Sequence, residues 1–178
     1  MLDQLLLDCK TAWIKAKVQK KHPFRYCTLV TVRPDGLPDA RVVVLRDYDA
    51  QNDRFNIYTD ARTPKVAALR AQPNAMLLFY DARKLLQLRV EVHCTGMHQD
   101  PQKYKQQHPA AQKDYTTTLP PGTPIKGMDA VTYGEQDHFL VVEFAAKKID
   151  FLRLMRPNHQ RAVFQKSANQ WEGQFIAP

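Results

Sequence analysis

The stretch from Leu86 to Gly96, LQLRVEVHCTG, constrains this chain more than any other. Leu86, Leu88, Val90 and Val92 fall on one side of an extended backbone, and Gln87, Arg89, Glu91 and His93 on the other. A period of two fits a strand with one buried face, and a 3.6-residue helix cannot satisfy it. The flanking sequence offers more short strands with turn residues between them. Tyr26 to Val32 and Ala40 to Asp47 read as a hairpin around Arg33-Pro34-Asp35-Gly36, and Arg54 to Thr59 follows the polar turn Asp49 to Asp53. Ala75 to Tyr80 is almost wholly apolar. Phe139 to Phe144 and Lys148 to Leu154 read as two strands with a turn at Ala145 to Lys147. Arg161 to Lys166 and Trp171 to Ile176 form a last hairpin around Ser167 to Asn169. Eight or nine short strands with few helices predict a closed antiparallel barrel rather than a wound α/β sheet.

Helical spacing appears in three places. Leu2, Leu5, Leu6, Cys9, Trp13 and Ala16 place a docked amphipathic helix over residues 1–20, and Asp3 and Asp8 make that start unlike a signal peptide. A second helix spans Thr63 to Ala71, and a short one Gln99 to His108. Tyr115 to Gly127, rich in proline and glycine, reads as a loop over a site or against a partner. The 178 residues fit one domain, 1–178, and 44% hydrophobic and 25% charged residues are globular values. No apolar run approaches the ~18 residues of a membrane span. Cys9, Cys27 and Cys94 show no pairing logic, which suits a cytoplasmic chain.

A net charge of +8 calls for an anionic partner: nucleic acid, an acidic membrane face or a phosphorylated small molecule. The basic residues are not interleaved with stacking aromatics, which argues against nucleic acid. Residues 41–65, RVVVLRDYDAQNDRFNIYTDARTPK, favour the small molecule. Arg41 and Arg46 bracket an apolar strand and stand about 17 Å apart along it. That is the span of an extended mononucleotide with a tricyclic base, the shape of flavin mononucleotide (FMN). Thr63 and Lys65 open the next helix, whose free N–H groups suit a phosphate. Arg41 and Lys65 are therefore candidate phosphate ligands, and Thr59 and Thr63 offer hydroxyls or are ordinary strand-end and N-cap residues. Positions five apart on a strand face opposite ways. Arg41 and Arg46 can share a ligand only across a bulge or strong twist, or if main-chain groups between them, at Val42 and Val43, also hold it. His93 and His98 lack further ligand spacing, so no metal is expected.

These motifs, from about Phe24 to Pro178, resemble the FMN-binding split-barrel family of pyridoxamine 5′-phosphate oxidase. Arg41 and Arg46 match that family's basic pair, and Tyr58-Thr59 its Tyr-Thr pair. Thr63-Pro64-Lys65 matches its helix start, Gln87 the glutamine of its Gln-Val-Arg strand, and His159-Gln160-Arg161-Ala162 its His-Asp-Arg-Phe segment. The resemblance implies a six-stranded-type split barrel with flanking helices and FMN at a homodimer interface. Arg46 and Gln87 would lie near the flavin ring, and Arg161 would approach from the neighbouring subunit. The chain departs from the family where Leu152 replaces a flavin-flanking tryptophan and Pro157 a substrate arginine. Tyr104 and Lys105 are the stand-ins for its substrate-phosphate ligands, and His159 either faces a substrate or caps the hairpin. The expected activity is FMN-dependent oxidoreduction of a small molecule, with pyridoxamine or pyridoxine 5′-phosphate oxidation, or flavin binding without catalysis, as the alternatives.

Overall fold

The alternation at residues 86–96 sits at the centre of a single nine-stranded sheet in the computed structural model, which describes every residue except Asn169. The strands are β1 (Tyr26–Val32), β2 (Pro38–Val44), β3 (Asp47–Asp49), β4 (Arg54–Asp60), β5 (Asn74–Asp81), β6 (Leu86–His98), β7 (Phe139–Arg153), β8 (Gln160–Ser167) and β9 (Gln170–Phe175). Neighbours run β2-β1-β5-β6-β7-β4-β3, and β8 and β9 extend from β7. Each pairing is antiparallel. The first half of β7 pairs with β4 and the second half with β8, so the sheet divides along that strand. This is the architecture of a split barrel.

The sheet is not closed, contrary to the expectation of a closed barrel. Its end strands β2 and β3 do not pair; the chain itself joins them. The Leu45 N–H donates to the Arg25 carbonyl at 2.9 Å, and the Arg46 N–H turns to the Asn56 carbonyl on β4 at 2.9 Å. A backbone changing partners cannot continue its first ladder, so the strand expected to reach Asp47 stops at Val44. Two other boundaries differ. The turn expected at Ala145 to Lys147 is a β-bulge: Ala146 pairs with Val92 and Lys148 with Glu91, leaving Lys147 as the extra residue within one 15-residue strand. The helix expected over Gln99 to His108 is shorter, α3 (Pro101–Lys105), and α4 (Pro109–Lys113) follows it. His108 starts α4, its Nδ1 accepting from the Ala110 N–H at 3.3 Å. The hairpin turn before β2 holds Gly36 at φ +83°, where a side chain would be strained. Asn169, placed by sequence in the β8–β9 turn, lies outside the described residues.

The apolar faces of the strands enclose one core. The amphipathic helix α1 (Leu2–Val18) buries Leu5, Cys9, Trp13 and Ala16 against it. The Trp13 ring centroid lies 5.2 Å from Tyr48, 5.0 Å from Phe55 and 5.7 Å from Phe79. Aromatic pairs at such spacing add about 0.5–1.5 kcal/mol each beyond the area they bury. Beside them lies Asp53, which is 3% exposed. It ties Lys10 of α1, Tyr48 of β3, Lys166 of β8 and Trp171 of β9 to one carboxylate. No helix among the described residues is long and apolar enough to cross a membrane.

Candidate functional site: an anion cradle at the start of α2

Tyr58 and Thr59 lie just before the last residue of β4 and point to opposite faces, as neighbouring strand residues must. Thr59 is 6% exposed, and its Oγ1 accepts from Lys65 Nζ at 3.1 Å and lies 3.3 Å from Thr63 Oγ1. Thr63 takes the N-cap position of α2 (Pro64–Ala71), but its hydroxyl donates to the Asp60 carbonyl at 2.8 Å and caps nothing. The helix start has no side-chain cap; Pro64 carries no N–H and the Val66 N–H donates to the Thr63 carbonyl at 3.0 Å, so of these three residues Lys65 has the N–H left to meet an anion.

Arg41 reaches the same place from β2. One guanidinium nitrogen donates to the Leu29 carbonyl at 3.2 Å and to Thr31 Oγ1 at 2.9 Å, and another pairs with Asp39. Arg41, Thr63 and Lys65 line a cavity of about 220 Å³ together with Asp39, Pro121 and Gly122. Among the described residues Lys65 has no carboxylate partner. Burial pushes its pKa down, and the Arg41 charge pushes it further, with Asp60 and Asp39 opposing. An ammonium held this way favours an incoming anion, because a phosphate restores what burial removed.

Arg46 lies elsewhere. Its guanidinium carbon is 5.4 Å from the Tyr58 ring centroid, and its Nε is buried without a hydrogen-bond partner. Tyr58 and Tyr115 both pack edge-on to Phe139, at 4.9 Å and 5.1 Å. Burial raises the pKa of both phenols, and the Arg46 charge opposes it. Arg46 lies beyond the end of β2, where the chain has changed partners, so the two arginines occupy different places: Arg41 beside Lys65 and Arg46 against Tyr58. The main chain between them is partly free. Antiparallel ladders alternate, and the Leu45 bond to Arg25 places Val43 among the residues bonded to β1. Val43 is engaged by that ladder and packs its side chain on the core. Val42 instead turns its N–H and C=O to the open edge, and its side chain is 67% exposed. Of the two valines, only Val42 has free main-chain groups.

Gln87 and Arg161 share a third location. They flank Leu152 in one row across β6, β7 and β8. Arg161 is held by Asp150 of its own chain, Nε to Oδ1 at 3.2 Å and Nη2 to Oδ2 at 3.0 Å, and Asp150 also pairs with Arg89. These bonds keep the Asp150 pKa below the usual carboxylate range although burial alone would raise it. His159 is exposed, and its Nδ1 lies 3.2 Å from the Met155 N and 3.1 Å from the Met155 O, so it fastens the turn before β8. Tyr104 packs on Phe139 at 5.6 Å, and its hydroxyl donates to the Gln112 carbonyl at 3.4 Å.

The sequence reading passed over Arg62. It grips Asp60 twice, at 3.0 Å and 2.7 Å, and also donates to the Thr117 carbonyl at 2.9 Å and the Thr118 carbonyl at 3.3 Å. The proline-rich loop is thereby fastened to the start of α2 by a residue 55 positions away, and no local pattern signals such a bond. Arg62→Ala leaves Asp60, 5% exposed, without its counter-ion. The expected loss is about 1–3 kcal/mol of stability in urea unfolding, with faster proteolytic cleavage between Thr117 and Thr132. Unchanged cleavage would mean that Arg62 does not hold the loop.

Comparison with known proteins bears on the fold and the family. The profile of the family described as "Pyridoxamine 5'-phosphate oxidase, FMN-binding domain" matches residues 9–97, half of the chain. A pyridoxine/pyridoxamine 5′-phosphate oxidase of Cupriavidus metallidurans is 40% identical over 81 residues, 45% of this chain and 37% of that protein. One from Caulobacter vibrioides is 41% identical over 63 residues, 35% of this chain and 28% of that protein. The match thus spans only about a third of these curated relatives. Among solved structures, a pyridoxamine 5′-phosphate oxidase-related FMN-binding protein from Nostoc punctiforme superposes with a TM-score of 0.77 at 21% identity, covering 98% of this chain and 97% of that one. PhzG from Burkholderia lata, solved with tetrahydrophenazine-1-carboxylic acid, gives 0.73 at 14% identity, covering 99% and 90%. At such identities the structures establish the fold, and the profile match establishes the family: this chain belongs to the pyridoxamine 5′-phosphate oxidase FMN-binding domain family.

Proposed function

We propose that this protein is an FMN-dependent oxidoreductase acting on a small molecule other than a vitamin B6 phosphate. Lys65 carries the reading: a half-buried ammonium beside Arg41, without a carboxylate partner among the described residues, at an uncapped helix start. In this reading Arg41, Lys65, Thr59 and Thr63 hold the flavin phosphate, and the free edge at Val42 meets the ribityl chain. Arg46, with its unpartnered Nε beside Tyr58, and Gln87 serve the polar edge of the ring. The flavin supplies the hydride chemistry when bound, and the protein orients it and tunes it electrostatically.

The outer sheet face supports a homodimer. Tyr26 is 59% exposed, Val42 67% and Tyr80 51%, all on the side of β1, β2 and β5 away from the core. Pairing two such faces would let Arg161 of one subunit approach the flavin of the other, once it yields part of its hold on Asp150. The free thiols, with Cys9 and Cys27 buried, fit a reducing cytoplasm.

A second reading, oxidation of pyridoxine or pyridoxamine 5′-phosphate, is favoured by the names of the aligned relatives. Against it, Pro157 and Asn158 occupy the positions where the family's substrate motif begins, and Tyr104 is engaged in an aromatic cluster. The discriminating experiment starts with the visible spectrum of the purified protein and continues with anaerobic NAD(P)H and with each vitamin B6 phosphate. The expected result is a flavin spectrum that NAD(P)H bleaches and air restores, with no turnover of the B6 phosphates. Turnover of a B6 phosphate would establish the second reading. Bound flavin that no donor reduces would leave a binding protein without catalysis.

A further inference from the structure

The cradle of Arg41, Thr63 and Lys65 does not end at its own walls. Pro121 and Gly122 close it on one side, and the same two residues line a second cavity, also of about 220 Å³. That cavity lies within the proline-rich loop, and its walls are mostly apolar: Leu119, Pro120, Ile125 and Val131. Asp114, Thr117 and Thr132 supply the polar groups. The cavity is built rather than improvised. The Thr118 N–H donates to the Thr132 carbonyl at 2.9 Å, the Gly134 N–H donates to the Thr116 carbonyl at 2.7 Å, and Arg62 pins Thr117. Gly122 stands at φ +92°, a conformation that L side chains rarely adopt, and a Cβ there would meet nothing within 4 Å. The wall between the two cavities is therefore low, with open space above it.

Ligand pockets begin at roughly 300 Å³. Neither cavity reaches that size alone, and the two together exceed it. A ligand filling both needs an anionic group for the cradle and a largely apolar group beyond it. Asp114 is the charged residue of that lining, and it is exposed. A second acidic tail is disfavoured there, because Asp114 would repel it. An adenine ring meets these requirements: its faces suit proline and branched aliphatic walls, and its exocyclic amine donates to a carboxylate or hydroxyl.

We propose that the loop cavity receives the adenine of a dinucleotide flavin, so that this protein takes FAD as well as FMN. The proposal rests on reading the Arg41–Lys65 cradle as the seat of the flavin phosphate. The test uses apoprotein titrated with FMN, FAD and riboflavin, followed by flavin fluorescence. In the unaltered protein FAD is expected to bind within about threefold of FMN, a difference below 1 kcal/mol. Filling the loop cavity by Ile125→Trp, and independently by Val131→Trp, is expected to weaken FAD by about tenfold or more while FMN changes less than about twofold. FAD weaker than FMN by more than about tenfold in the unaltered protein would overturn the proposal. Equal losses of both flavins in both variants would overturn it as well. Absence of FMN binding by the unaltered protein is a different failure, that of the cradle reading itself.

Discussion

Asp53→Asn is expected to remove about 3–5 kcal/mol of stability, the usual penalty for breaking one partner out of a buried ionic network. The carboxylate accepts from four donors: Lys10 at 2.6 Å, Lys166 at 2.7 Å, Trp171 Nε1 at 2.8 Å and the Tyr48 hydroxyl at 2.9 Å. An amide offers one acceptor oxygen, and its NH₂ would face an ammonium. Two lysines would then stand largely desolvated without a counter-charge. Asparagine is the informative substitution because Asp53 sits at φ +54°, which asparagine tolerates and alanine does not. Lys10 lies on α1, so the helix should loosen first, and hydrogen exchange along α1 should rise before that of β6. Burial acts to raise the Asp53 pKa, but its bonds to Lys10, Lys166, Trp171 and Tyr48 prevail and hold it below the usual carboxylate range. A carboxyl with a depressed folded pKa stabilises above its unfolded pKa, about 3.9, and loses that contribution as pH falls through the folded value. The gap between unaltered protein and variant in urea unfolding should thus be full at pH 7 and shrink in acid below about pH 4. A gap under about 1 kcal/mol at pH 7 would show that the network contributes little.

Arg41→Ala is expected to weaken FMN by about ten- to a hundredfold, since losing a charged hydrogen-bond partner costs about 1.5–3 kcal/mol. Arg41 is held in place by the Leu29 carbonyl, Thr31 and Asp39, so little ordering is left for the ligand to induce. Lys65→Ala should give a comparable loss with a distinct pH signature. Burial and the neighbouring Arg41 lower the Lys65 pKa in the free protein. A lysine with a depressed folded pKa lowers stability at neutral pH, and that penalty is relieved as pH rises from the folded to the unfolded value. A bound phosphate acts oppositely and raises the pKa again. FMN affinity should therefore decline as pH rises through the lowered Lys65 pKa. In Lys65→Arg it should stay level over the same range, because the guanidinium keeps its proton. Titrations at pH 7 and pH 10 separate the two behaviours; parallel pH curves would exclude Lys65 from the phosphate site.

Local periodicity made much of this fold legible. The alternation of residues 86–96 became the central strand, and the helical spacing of Leu5, Cys9, Trp13 and Ala16 became the buried stripe of α1. Legibility failed where a residue's partner lies far along the chain. Lys147 reads as a turn residue, yet it bulges out of a continuous strand because β6 and β8 pair on either side of it. Leu45 and Arg46 read as strand, yet each bonds a different neighbour. The candidate site divides in the same way. Arg41, Thr63 and Lys65 were visible because a strand arginine and a helix start carry their chemistry locally. Arg62 and Asp53 were not visible, since Arg62 fastens Thr117 across 55 positions and Asp53 gathers Lys166 and Trp171 across 113 and 118. Strand geometry framed the question of whether Arg41 and Arg46 converge, but the chain changes partners at Leu45 and Arg46, which leaves Arg41 beside Lys65 and Arg46 against Tyr58.

The claim on which the site depends is that Arg41 and Lys65 bind the phosphate of the flavin and not its ring. Riboflavin lacks that phosphate, so the ratio of FMN to riboflavin affinity, measured in unaltered protein and in Arg41→Ala, isolates it. The account predicts that FMN loses about tenfold or more while riboflavin changes less than about twofold, so that the preference for FMN collapses. Equal losses for the two ligands, or a preference for FMN that survives the substitution, would contradict it.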